Sequence, residues 1–217
     1  PDIAILDSDL VASLPTSLIA DGGFDLISHA LEAYVASNRI TFSDLLAEEA
    51  FRTAMSGLQA SFHGDLDCRA ALHTAATMAG VAFSQAGLGV CHAIAHSLGG
   101  EFHTPHGRLN AILLPAVIEH NAPVCTHRYA ELARAAGLSG GSDTVALRAL
   151  KSAWVRLRKG LMLPETLAQA GIPTAAVEEK MERLIEAALL DPCCSTNPLR
   201  PEKDMVRSIL TQVTGRG

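Results

Sequence analysis

The sequence predicts an all-α fold, and three observations carry that prediction. Of its 217 residues, 48% are hydrophobic but only 4% aromatic; alanine and leucine are plentiful, which favours closely packed helices over an aromatic-rich β-sandwich. Apolar residues recur at spacings of three and four in one segment after another. A single short run, Ile3–Leu6, reads as a strand, and no second alternating run follows with which it could pair. Its sheet partners are therefore expected outside this chain.

Taken in order, Leu10 to Leu14 reads as a helical turn ended by Pro15. From about Gly23 the pattern is helical, with Phe24, Ile27, Leu31, Tyr34 and Val35 on one face. Ser43 or Asp44 is the expected N-cap of a second helix running to about Phe62, broken by His63-Gly64-Asp65. Asp67 is the expected cap of a third, running to about Ala86. It is apolar on nearly all faces, the mark of a central, buried helix. Gly87 and Gly89 end it, and a helix from about Val90 to Phe102 follows. After Thr104-Pro105-His106-Gly107 an apolar helix is expected from about Arg108 to Glu119. Beyond Pro123 the segments at 126–136, 143–159 and 174–190 are amphipathic and more charged. The last helix is expected from Pro201, with proline in its first position and Glu202 in its first turn. The whole reads as an apolar helical layer followed by a more solvated one.

Composition also excludes functions. A net charge of −6 gives no basic stripe for nucleic acid. No apolar run reaches the length of a membrane span, and no signal peptide opens the chain. The five cysteines, Cys68, Cys91, Cys125, Cys193 and Cys194, are odd in number and contain no CxxC pair. They point to reduced thiols, a cytoplasmic location and no cysteine-based zinc site. The chain opens at Pro1 and not at methionine, as a processed chain or a piece of a longer one would.

The chemistry concentrates in Gly87–Gly107, which holds four of the nine histidines: His92, His96, His103 and His106. His92 and His96 are four apart and share one helix face. The HxxxH pair can place both rings on one metal, or one on a metal and the other on a substrate; spacing leaves the two open. Asp25 and His29 form a second such pair. Taken alone it reads more simply as an ordinary helix-surface pair, but Asp25 sits between Phe24 and Leu26, where an unpaired carboxylate is costly. Asp25, His29 and two of the later histidines would give one oxygen and up to three nitrogens. That set suits Fe²⁺ or Zn²⁺ and suits Ca²⁺ or Mg²⁺ poorly. A metal so held would act as a Lewis acid on an alcohol or carbonyl oxygen. His63, His73, His120 and His127 read as structural or exposed. Ser84 and Ser97 lack a base and orienter at recognisable spacing, and no phosphate-binding motif is present.

GGFDLISHALEAYVA (22–36) and GLGVCHAIAHSLGGEFHTPHGRLNAILLP (87–115) resemble the two metal-binding segments of the iron-containing (group III) alcohol dehydrogenases, and DPCCSTNPLRP (191–201) resembles their C-terminal Asp…Asn-Pro-Arg segment. The likeness covers essentially the whole chain. It implies a dehydroquinate synthase-like helical C-terminal domain across 1–217, with 1–15 a remnant of the junction to a Rossmann-like nucleotide-binding domain that this chain lacks. By the same likeness, Asp25, His29, His92 and His106 are the metal ligands, His96 is the further active-site histidine that relays protons, and Phe83 lines the substrate pocket, while His103 stands aside. The cofactors implied are Fe²⁺, with Zn²⁺ as the alternative, and NAD(P) in the full-length enzyme. The reaction implied is interconversion of a primary alcohol and its aldehyde, with glycerol dehydrogenase or another dehydroquinate synthase-like activity as the rival and the fragment alone inactive. A homodimer or higher homo-oligomer is expected, and the Cys-Cys-Ser-Thr-Asn-Pro tail resembles the propanol and ethanolamine branch associated with bacterial microcompartments. The chain departs from the family pattern at Gly22, where threonine is frequent, and at Arg108-Leu109.

Overall fold

Eight helices account for most of the computed structural model, which describes residues 3–215. They are α1 (Thr16–Val35), α2 (Thr41–Phe62), α3 (Leu66–Ala86), α4 (Val90–Phe102), α5 (His106–Ala135), α6 (Asp143–Gly160), α7 (Thr174–Leu190) and α8 (Lys203–Thr214), with short 3₁₀ helices at Ser8–Val11 and Pro192–Thr196. Helix α1 is buried along most of its length and packs against α2, α3 and α5. Helix α5 extends the same core to α4, α6 and α8, and α7 closes it against α4 and α8. One hydrophobic core runs through the helices, with Trp154 of α6 set edge-on to Phe24 of α1 at 4.7 Å between ring centroids.

The all-α expectation holds: no strand occurs among the described residues. Ile3–Leu6, read as a strand, is exposed irregular chain, because no described backbone lies beside it to pair with. The turn expected at Leu10–Leu14 is the 3₁₀ helix Ser8–Val11, where the Asp7 carboxylate accepts the Asp9 N–H at 3.0 Å.

Helix α1 begins at Thr16, a full turn and more before the expected start near Gly23, because the first position after Pro15 is free to turn helical and the helix runs on through Gly22-Gly23. Ser43 lies inside α2, where its hydroxyl accepts the Ile40 N–H at 2.9 Å. Asp65, not Asp67, caps α3 by accepting the Cys68 N–H at 2.9 Å. Nor is α3 central. It buries one face, including Leu72, Ala75, Ala79 and Ala82, while Leu66 and Val81 stand in solvent. Its apolar content is largely alanine, which has little side-chain area to bury, so a high apolar fraction overstated its burial.

The largest departure is α5, a single helix through Pro115 and Pro123 where two shorter helices were expected. Proline at 115 has no N–H to give the Ala111 carbonyl one turn earlier. The indole Nε1–H of Trp154 supplies that bond at 3.0 Å, so the helix continues without an orphaned buried acceptor. At the C-terminus α8 starts at Lys203 with Glu202 as N-cap, after Pro201 rather than on it. Helices α4, α6 and α7 fall within a residue of expectation.

Candidate metal centre

Three helices carry the site. Asp25, His29 and Glu32 occupy one face of α1 at positions i, i+4 and i+7. His92 and His96 face inward and outward from the start and middle of α4, and His106 opens α5. One donor atom from each of Asp25, His29, His92 and His106 lies within 4.8 Å of all the others. The nearest approaches are His106 Nε2 to Asp25 Oδ1 at 3.3 Å, His92 Nε2 to the same oxygen at 3.7 Å and His29 Nδ1 to Asp25 Oδ2 at 3.8 Å.

Close backbone approach sets this geometry. An added Cβ at Gly107 would lie 1.8 Å from the carbonyl oxygen of Asp21, so only glycine lets α5 meet α1 and bring His106 over Asp25. Arg108 clamps the junction with Nε and Nη2 on the Asp21 carboxylate at 3.2 and 2.9 Å. Arg108, expected to depart from the family pattern, thus holds α5 to α1 beside the site.

A graded burial runs across the cluster. His92 is 1% exposed, His29 21%, Asp25 28% and His106 35%, so the cluster is closed on the His92 side and opens past His106. The electrostatics follow. Burial, then the neighbouring His92 charge, pushes His29 down to about 4 and keeps it a neutral donor. Burial also lowers His106, and His92 and His96 add to that against the Asp25 charge. Burial opposes protonation of His92 too, but the carboxylates of Asp25 and Glu32 outweigh it and hold the ring up at about 9. Asp25 resists the upward push of burial because three imidazoles face it, and it stays below the usual carboxylate range.

The structure separates the HxxxH pair that spacing left open. His92 joins the four-donor cluster, whereas His96 stands 46% exposed at the open side, with Nδ1 2.8 Å from Asp191 Oδ2 and its ring stacked on His106 at 5.1 Å. Phe83 of α3 stacks on His29 with centroids 4.6 Å apart. His103 caps the end of α4 in the left-handed region at φ 53°, exposed and outside the cluster.

Asn110 and Glu32, both beside the cluster, escaped sequence reading, while Asp191 and Asn197 were read only as part of the 191–201 segment, with no role given to either. The Asn110 amide nitrogen donates to Asp25 Oδ1 at 2.8 Å and lies 3.1 and 3.3 Å from the Nε2 atoms of His106 and His92. Glu32 lies behind His92, Asp191 behind His96, and Asn197 at the start of α4. Glu32 left a trace, as a carboxylate three residues after His29 in an apolar segment, and Asn110 another, one turn after His106.

One oxygen and three imidazole nitrogens converging at the partly buried junction of three helices fit a divalent first-row ion. Residues 19–214 match the Fe-containing alcohol dehydrogenase family, C-terminal. The chain belongs to the iron-containing alcohol dehydrogenase family. A 1-propanol dehydrogenase of Citrobacter freundii is 42% identical over 219 residues, covering 98% of this chain and 59% of that protein. An NADPH-dependent butanol dehydrogenase of Clostridium saccharobutylicum is 38% identical over 209 residues, 96% of this chain and 54% of that one. The iron-containing alcohol dehydrogenase of Thermococcus thioreducens superimposes with a TM-score of 0.89 at 33% identity, covering 98% of this chain and 55% of that structure. The chain thus spans a little over half the length of these family members, and it corresponds to their helical part, with no Rossmann-like sheet among its described residues. Nor is any single helix among those residues long and apolar enough to cross a membrane.

Proposed function

We propose that this chain is the metal-holding part of an NAD(P)-dependent alcohol dehydrogenase that interconverts a primary alcohol and its aldehyde. The observation that carries the reading is the convergence of Asp25, His29, His92 and His106 within 4.8 Å, beside an opening where His96 stands free of the cluster. Asp25 and the three imidazoles hold Fe²⁺, or Zn²⁺ as the alternative. A divalent ion bound there supplies Lewis acidity toward an alcohol or carbonyl oxygen.

The chain's own residues do the rest. His29, kept neutral by burial, and His92, oriented from behind, present nitrogen donors without a competing proton once the ion is in place. Phe83, packed on His29, forms an apolar wall for the carbon chain of the substrate. His96 is the proton carrier: Asp191 accepts its Nδ1–H and leaves Nε2 directed away, able to take the alcohol proton and pass it to water at the open side. A nicotinamide bound by the full-length enzyme would accept the hydride, and the 217 residues by themselves are expected to turn over no NAD(P). The names of the relatives favour a short primary alcohol. Homo-oligomerisation and microcompartment association belong to this reading on family likeness.

The test is turnover by the full-length enzyme loaded with Fe²⁺ or Zn²⁺, followed by nicotinamide absorbance with ethanol, 1-propanol, 1-butanol and glycerol. Reduction of NAD(P)⁺ with the primary alcohols supports the reading. Turnover with glycerol alone, or with none of the four, overturns it.

A further inference from the structure

Glu32 is 2% exposed, yet it is a carboxylate in the middle of an apolar helix. A buried carboxylate is tolerated only with charge-assisted hydrogen bonds around it, and Glu32 has four. Its Oε1 accepts the Cys91 N–H at 2.8 Å, and its Oε2 accepts the Gly89 N–H at 2.9 Å and the His92 N–H at 3.4 Å. The fourth contact is to a side chain: His92 Nδ1 lies 2.6 Å from Oε2. The remaining N–H at the start of α4, that of Val90, goes to Asn197 Oδ1 at 3.1 Å. Helix α4 has no cap from its own sequence. A carboxylate from α1 and an amide from the C-terminal segment cap it instead, at the positive end of its dipole. Gly89 makes room for both: a Cβ there would lie 2.6 Å from Glu32 Oε1 and 2.7 Å from Asn197 Oδ1.

We propose that Glu32 is a positioning residue for the metal centre, fixing His92 in the tautomer that carries its proton on Nδ1 and leaves Nε2 as the free donor. The inference rests on the reading of His92 as a ligand. Nε2 is the nitrogen that faces Asp25 and His106, so a proton there would block the site. A carboxylate behind a ligating imidazole orients the ring and raises its basicity. The same carboxylate caps α4, so the start of the helix and the aim of its first histidine are set by one group. Glu32→Gln cannot do both. An amide oxygen turned to Nδ1–H points the amide NH₂ at the Cys91 N–H, and the opposite flip points it at His92 and at the Gly89 N–H.

The experiment titrates the purified apoprotein with Co²⁺ and Zn²⁺ and compares wild type, Glu32→Gln, Asn197→Ala and His92→Ala. Glu32→Gln is expected to weaken binding by about 10- to 100-fold, while Asn197→Ala lowers Tm and leaves affinity within about two-fold of wild type. Equal affinity for Glu32→Gln and wild type overturns the inference, as does an equal loss for Glu32→Gln and Asn197→Ala, which would make the effect that of a helix cap. Full binding by His92→Ala instead overturns the ligand reading beneath it. Nitrogen-15 spectra of the zinc-loaded wild type give a check independent of variant folding. His92 bound through Nε2 with Nδ1 protonated is expected, and coordination through Nδ1 overturns the inference.

Discussion

The indole of Trp154 donates its Nε1–H to the carbonyl of Ala111 at 3.0 Å, the acceptor that Pro115 leaves without a partner inside α5. A proline in mid-helix is thereby accommodated in the core, and α5 runs unbroken from the metal centre at His106 to Ala135. Trp154→Phe keeps the apolar contact with Phe24 but orphans a buried carbonyl. The expected loss is about 1–3 kcal/mol of unfolding free energy, read from urea denaturation. Adding Pro115→Ala, which restores a backbone donor, should recover part of it; equal stability of wild type and Trp154→Phe would show that the bond contributes nothing.

The Gly107 contact with the Asp21 carbonyl gives a second prediction. Gly107→Ala must push the start of α5 off α1 and carry His106 away from Asp25. Stability should fall by about 1–3 kcal/mol, as for other overpacked cores, and affinity for Zn²⁺ should fall with it. A variant that matches wild type in both denaturation and zinc titration would contradict the packing described.

His96 and Asp191 should behave differently from the four clustered donors. His96→Ala is expected to lower kcat of the full-length enzyme by about a hundred-fold or more, the usual scale for a proton carrier, with metal content unchanged. Asp191→Asn should act in the same direction and more weakly, because the ring keeps a hydrogen-bond partner. Loss of metal in His96→Ala would place that ring among the ligands.

The pH dependence of stability has a defined sign at Glu101. A hydrogen bond from Lys180 of α7, opposed by burial and aided by the Arg183 charge at 3.3 Å, holds this α4 carboxyl below its ordinary 4.5. A depressed folded-state pKa means stability that is present above 4.5 and lost as pH falls through the lower folded value. Wild type should therefore exceed Glu101→Gln in Tm at neutral pH, and the two curves should converge in acid. Parallel curves down to strong acid would assign the effect to packing instead.

Much of this was legible in the chain because it is local. The periodicity of 90–102 and 174–190 gave α4 and α7 almost to the residue, and the i, i+4 pairs Asp25/His29 and His92/His96 announced chemistry on helix faces. What spacing could not read was long-range. The partner of His92 is 60 residues away, that of His96 is 95 residues away, and the second cap of α4 is 107 residues away. The same holds for α5: Pro115 reads as a breaker until Trp154, from another helix, fills its missing bond. Helix α3 was misjudged for a different reason, since alanine counts as apolar in a pattern and yet brings little area to bury.

Metal stoichiometry of protein purified without oxygen tests the four-donor site most directly. Elemental analysis should find about one divalent ion per chain, as a single tetradentate site requires. That ion should be lost from His92→Ala and from His106→Ala, and retained by His103→Ala, whose ring lies outside the cluster. Undiminished metal in His92→Ala and His106→Ala would contradict the site.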